Sequence, residues 1–250
     1  MQVVVDSLLT EYEKSGQANR GILLIHGWGD NHRTFKNLQT KLSKKFTTIS
    51  LDLPGFGNTQ APEKVWDLSD YAKFVNDFTK KIDCKTFAII GHSNGGALAI
   101  HGLASGVLQA DKLVLLSSSG IRDKQKARKV SLKVVAKTGK VLTFWLPQAH
   151  KQKLRKKLYG VAGSDMLVAP HLQETFKKTV SQDVQADAKK LNIPTLLIYG
   201  EQDKATPPLY GEIFHNLITD SSFEQIGGAE HFVHHDKPDI VVQMIEDFLT

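Results

Sequence analysis

Apolar residues along this chain fall into short continuous runs, separated by stretches in which they recur every three or four positions. Residues 21–25, 87–90, 113–116 and 193–199 are near-continuous runs of the kind a strand shows when both faces of a parallel sheet are covered, and 46–53 reads as a further strand, ending at a loop forced by Pro54, Gly55 and Gly57. Between them, Phe35, Leu38 and Leu42, and then Tyr71, Phe74, Val75, Phe78 and Ile82, keep the spacing of one helix face, with Ser69 placed to cap the second helix. Residues 96–105 carry Ala97, Leu98, Ala99, Ile100, Leu103 and Ala104 on all faces, which predicts a helix buried against a sheet. Residues 2–14 alternate loosely in polarity and read as a pair of edge strands, closed by a turn at 16–19. Pro207 and Pro208 open a helix with Leu209, Ile213, Phe214 and Leu217 inward, 222–226 is the last strand, and Pro238 opens a final helix with Ile240, Val241, Met244, Ile245 and Phe248 inward.

The alternation of strand and helix breaks off after Leu116 and resumes at Ile193. Leu154 and Leu158, and again Leu172, Phe176 and Val180, keep helical spacing in that interval. A helical insertion over 121–190 is therefore predicted, in a core built from 1–120 and 191–250. The fold class that follows is α/β, a mostly parallel central sheet with helices on both faces, whose ligands gather at the carboxyl ends of the strands.

Four of those strand ends carry residues with chemistry. The run 87–90 feeds into Gly91-His92-Ser93-Asn94-Gly95-Gly96, a strand, a sharp turn and a helix with a serine at the centre of GxSxG. Small neighbours suit a turn that brings strand and helix close together, and the helix N-terminus beyond it favours developing negative charge. A tight turn with an incidental serine is the plain alternative, while a phosphate loop would need GxxxxGK[ST] or GxGxxG after a strand. The other three ends carry His26-Gly27-Trp28, Asp203 and His231, so a nucleophile, an acid and a base would meet at one edge in the order Ser, Asp, His.

Composition narrows the classes. No apolar run approaches the roughly 20 residues of a membrane span, and residues 1–6 lack the basic start and apolar region of a signal peptide, so stable membrane insertion is not expected and a cytoplasmic location is. Cys84 is the only cysteine and reads as a small buried hydrophobe. His231, His234 and His235 lack metal-site spacing, and no cofactor or metal is expected. The net charge of +6 is uneven: residues 121–190 hold 17 Lys+Arg and 5 Asp+Glu, a net +12, against 15 and 21, a net −6, elsewhere. Lys151, Lys153, Arg155, Lys156 and Lys157 form a dense run, but few aromatics accompany it and no nucleic-acid motif is present, so nucleic acid is not an expected partner. The charge reads as a solvated cationic face, with an acidic protein, a lipid headgroup or a substrate carboxylate as the other candidates.

Taken together, the motifs resemble the α/β-hydrolase fold family over nearly all of the chain outside the insertion. His26-Gly27-Trp28-Gly29 is similar to the oxyanion loop, Asp52-Leu53-Pro54-Gly55-Phe56-Gly57 to a second loop, and Gly91-His92-Ser93-Asn94-Gly95 to the nucleophile elbow. Residues 194–203 resemble the acid strand, and Ala229-Glu230-His231-Phe232 the histidine loop, with Glu230 where a glycine is common. The resemblance implies a cap in the insertion and a serine hydrolase in which Ser93, Asp203 and His231 form a triad and the backbone N–H groups of Trp28 and Asn94 bind the oxyanion. Asp203 matches the acid position better than Glu201. His26 is expected to shape the oxyanion loop, His26, Gly27 and His92 to lie at the substrate pocket, His92 and His101 to be structural or pocket-lining, and His234 and His235 to be solvated. A serine rather than an aspartate at the elbow sets aside the relatives that open epoxides or displace halide. An ester is the implied substrate, with thioester, lactone and carbon–carbon cleavage, or a non-catalytic binding member of the fold, as alternatives. The loops at His26 and Asp52 also resemble those of pimeloyl carrier-protein methyl esterases, which would give the basic insertion an acidic carrier protein as partner.

Overall fold

The run Gly21–Ile25 is a strand whose five residues are all buried, and its two faces serve two cores. In the computed structural model, which describes residues 1–122 and 170–250, β1 (Gln2–Val5) and β2 (Leu8–Ser15) form an antiparallel hairpin ahead of this strand, β3. A 3-10 turn, His32–Phe35, continues into α1 (Lys36–Leu42), followed by β4 (Thr47–Leu51), α2 (Leu68–Lys81), β5 (Thr86–His92), α3 (Asn94–Ala104) and β6 (Lys112–Leu116). After residues 123–169 come a 3-10 turn, Pro170–Leu172, α4 (Gln173–Ser181) and α5 (Gln185–Ala188). The chain ends with β7 (Thr195–Gly200), α6 (Pro208–Leu217), β8 (Ser221–Ile226), α7 (Val233–Asp236) and α8 (Pro238–Leu249). The helical spacing at Leu154 and Leu158 and the basic run at 151–157 lie outside the described residues.

The described strands form one sheet in the order β1-β2-β4-β3-β5-β6-β7-β8, parallel from β4 to β8. Ile25 lies opposite both Leu51 and Gly91, so β3, β4 and β5 end level and the loops after them leave from one edge. Because side chains alternate across a strand, Leu23 and Ile25 join a core with α2, α3, α5 and α6, whereas Ile22 and Leu24 face α1 and α8. No helix among the described residues is long and apolar enough to cross a membrane.

Several sequence expectations shift by a residue or a face. Asp67, not Ser69, caps α2: its carboxylate accepts the Ser69 and Asp70 N–H groups at 2.9 and 3.1 Å, while Asp70 returns a bond to the Asp67 N–H. Ser69 already lies inside the first turn, where its hydroxyl meets His101. The strand expected over 46–53 stops at Leu51, since Asp52 turns away to take the His32 N–H and Nδ1 at 2.7 and 2.6 Å. Leu209 and Ile240, expected inward, are 56% and 47% exposed. Each sits one turn before a half-buried flank residue, Ile213 or Met244, and about 140° around the helix from the buried Phe214 or Ile245. Helix α4 buries Thr175 and Thr179 rather than Phe176 and Val180, because it lies on the polar chain around Trp66, whose N–H donates to Thr175 Oγ1. Cys84 is half-buried, and burial raises its thiol pKa.

If the reciprocal bonds of Asp67 and Asp70 set the start of α2, Asp67→Ala lowers the unfolding free energy by about 1 kcal/mol and Asp67→Asn by less. Urea denaturation checks this, and an alanine variant as stable as the wild type would place the cap elsewhere.

Candidate active site

Ser93 stands between β5 and α3 with φ 51° and ψ −118°, outside the regions an L residue ordinarily occupies. Such a conformation costs of order 1–3 kcal/mol and persists only where the surroundings over-determine it. Here the backbone does so: the Ser93 N–H donates to the Leu116 carbonyl at 3.0 Å, and its own carbonyl accepts the N–H groups of Gly96 and Ser119, both at 3.0 Å. A side chain at Gly95 would run into the Ile25 and His26 carbonyl oxygens, so α3 reaches the end of β3 only with glycine there. On the other side, a Cβ on Gly27 would stand 3.0 Å from Ser93 Cβ. The loop after β3 thus passes directly beside the serine. Asn94, the first residue of α3, has a backbone N–H with no acceptor within the helix.

Asp203 and His231 meet across the ends of β7 and β8, with Oδ2 and Nδ1 2.8 Å apart. The Asp203 side chain is fully buried. It also accepts the Ala205 and Thr206 N–H groups at 2.8 and 2.9 Å and approaches Thr206 Oγ1 at 2.8 Å. Burial alone would raise the Asp203 pKa, but the hydrogen bond and charge of His231, with the Thr206 donors, outweigh burial and hold it below the ordinary carboxylate range. Glu201 takes a different partner, the Gly228 N–H at 3.0 Å. Thr206 was not singled out in the sequence. Its hydroxyl lies 2.9 Å from the Ser117 carbonyl and 3.1 Å from His231 Nδ1, joining the ends of β6 and β7 to the imidazole. The only hint is an Asp with a Thr three residues on, the spacing of a side chain that caps its own turn.

The remaining histidines divide by what their nitrogens do. His26 Nε2 accepts the Leu53 N–H at 2.9 Å, which assigns the proton to Nδ1, donated to the Gly27 carbonyl at 2.7 Å. Burial lowers its pKa and keeps the ring neutral. His92 is likewise sealed from solvent; its pKa is lowered to about 3, first by burial and then by the neighbouring His231. Both rings are buried, and Gly27 passes beside Ser93 and the ring of His92. His101 ties α3 to α2 and α5 through Ser69 Oγ at 2.8 Å and Asp187 Oδ2 at 2.7 Å. His234, expected in solvent, is 2% exposed and stacks on Phe35 at 5.4 Å, because the single turn of α7 folds back onto the 3-10 turn before α1. His235 stays exposed and donates from Nε2 to the Thr34 carbonyl at 2.8 Å. Trp28 is half-buried between Phe56 and, from the insertion, Phe176, with ring centroids 4.7 and 5.1 Å away.

A serine on a strained turn, an imidazole held by a buried carboxylate and a helix N-terminus beside it are the parts that nucleophilic acyl transfer requires. Among the described residues no hydrogen bond joins Ser93 Oγ to His231, and no group of three or more His, Cys, Asp or Glu is placed to hold a metal ion.

The sequence profile of the alpha/beta hydrolase family matches residues 22–244. The chain is 25% identical to the pimeloyl-[acyl-carrier protein] methyl ester esterase of Neisseria meningitidis, over 96% of both chains. A meta-cleavage product hydrolase of Pseudomonas fluorescens superimposes with a TM-score of 0.74 at 20% identity, covering 99% of this chain and 96% of its own. The enol-lactonase of Burkholderia xenovorans does so with a TM-score of 0.74 at 18% identity, covering 100% and 99%.

The geometry around Thr206 predicts that Thr206→Val disturbs the Asp203–His231 bond whereas Glu201→Gln does not. The downfield Nδ1 proton resonance of His231 reads this directly: it shifts or broadens in the first variant and stays in place in the second. The reverse pattern would assign Glu201 as the partner of the imidazole.

Proposed function

The chain belongs to the alpha/beta hydrolase family, and on that premise we propose that it is a serine hydrolase cleaving a carboxylic ester through an acyl-enzyme on Ser93. The observation that carries this reading is the 2.8 Å bond between His231 Nδ1 and Asp203 Oδ2 at the strand edge that also presents Ser93 at φ 51°. With its Nδ1 proton directed at the carboxylate, His231 has the lone pair of Nε2 left to act as base. Ser93 Oγ attacks the ester carbonyl carbon as His231 takes its proton. The oxyanion is held by the backbone N–H groups of Trp28 and Asn94, a contribution of roughly 3–4 kcal/mol per donor in comparable sites. His231 then protonates the departing alcohol, and water activated by the same imidazole releases the acid. Asp203, ionised because its pKa is held low, fixes the tautomer and steadies the imidazolium.

The same parts would cleave a thioester, a lactone or a carbon–carbon bond, and the substrate chemistry sets which. A purely binding member of the fold has no use for a strained serine and a sealed, fully bonded carboxylate beside an imidazole, which favours catalysis. Residues 121–190 serve in this reading as a cap over the strand edge; Phe176 against Trp28, and Leu172 crowding Gly55, support that placement. The net +12 of this segment and the carrier-protein esterase among the relatives support an anionic substrate or an acidic carrier as partner.

Ser93→Ala lowers kcat on the order of 10³-fold or more for p-nitrophenyl esters, and a fluorophosphonate labels Ser93 alone. Labelling elsewhere, or an active alanine variant, overturns the nucleophile, and rates across increasing acyl length define the acid accepted.

Exposed charge acts mainly on encounter, over about 8 Å at physiological salt. For an ester on an acidic carrier protein, kcat/KM accordingly falls steeply with salt and on reversing Lys153, Lys156 and Lys157 to glutamate, while a neutral short-chain ester responds little. Equal responses would leave the cationic segment without a role in recognition.

A further inference from the structure

His92, itself buried, adjoins Ser93, His231 and the loop at Gly27. It precedes Ser93 in the chain, and its Nε2 lies 3.1 Å from the backbone carbonyl of His231, from across 139 residues. A Cβ on Gly27 would stand 3.2 Å from its Nδ1, so the loop after β3 passes across the same ring. The rings of His231, Phe232 and His234 close round it at centroid distances of 4.9, 4.8 and 4.9 Å. Nδ1 is buried without a partner, and a carbonyl oxygen can only accept, so the proton sits on Nε2 and is donated to His231.

We infer that His92 is a positioning residue that fixes the imidazole of His231 relative to Ser93 through its Nε2–H bond to the His231 carbonyl. This inference rests on the reading of His231 as the general base. The link from nucleophile to base consists of one peptide bond, one rigid ring and one hydrogen bond, and no direct hydrogen bond joins Ser93 Oγ to His231. An imidazole suits the task electrostatically. It stays neutral at any pH near 7, because burial and the adjacent His231 lower its pKa to about 3. A lysine or arginine could donate to the same carbonyl, but its fixed charge beside His231 would oppose the imidazolium that forms during acyl transfer. The ring also resists the rotameric freedom that a flexible donor would bring to a site where about 1 Å of misplacement can cost 10²-fold in rate.

The test uses the full chain, three substitutions of His92 and one of His231. Glutamine places an amide N–H near the position of Nε2, asparagine places it near Nδ1 and out of reach of the carbonyl, and leucine supplies volume without a donor. We expect His92→Leu and His92→Asn to lower kcat roughly 10- to 100-fold, with KM changed less than threefold, slower fluorophosphonate labelling of Ser93 and a broadened Nδ1 proton resonance of His231. His92→Gln should recover most of kcat and the resonance. Should the leucine variant fail to fold, the asparagine and glutamine pair carries the comparison. Equal kcat for the asparagine and glutamine variants overturns the inference, as does a loss that follows thermal stability alone. His231→Ala separates the two claims. If it abolishes turnover while His92→Asn turns over like the wild type, only the role of His92 fails; if it remains active, the reading of His231 as base fails with it.

Discussion

A side chain at Gly95 would meet the carbonyl oxygens that close β3, and the rest of the site depends on that approach. It brings the first turn of α3 against the neighbouring strand, so a helix N-terminus, a strained serine and the loop from 26 to 30 share one small volume. Backbone bonds from Leu116, Gly96 and Ser119 hold the serine in a conformation it would not otherwise keep. The parallel register supplies the remainder: strands that end level deliver Asp203 and His231 to the same edge, from the far half of the chain.

What the sequence revealed follows from which forces repeat along it. Continuous apolar runs marked β3, β5, β6 and β7, since burial on both faces leaves no polar positions to interrupt them. Side chains whose partners are distant left no such trace. The expected cap at Ser69 was displaced by two residues because Asp67 and Asp70 bond each other's backbone, a reciprocity that spacing alone does not single out. Leu209 and Ile240 were drawn inward by a period that fits the flank of a helix as well as its buried line.

Within the site, residues at strand ends were legible because they sit in short patterns: Ser93 between glycines, Asp203 after an apolar strand and His231 after the glycine pair that ends the last strand. Thr206 and the burial of His234 were not, because each depends on a contact with a distant segment, the end of β6 in one case and the turn before α1 in the other. The buried histidines share a logic that only coordinates reveal. His26 and His92 are both kept neutral by burial and both donate to a backbone carbonyl, so each holds a loop without placing a charge near the reacting atoms.

The contact between Phe176 and Trp28 joins two segments with different duties, since one side of the indole belongs to the insertion while its peptide N–H lies in the loop beside Ser93. On the proposed reading, in which the insertion selects the substrate and the Trp28 N–H binds the oxyanion, selectivity and turnover are linked through this one ring contact. Exchanging the insertion for that of a relative would then transplant more than a choice of substrate: the indole would keep Phe56 on one side but lose the ring of Phe176 on the other, and the backbone behind it would feel the change.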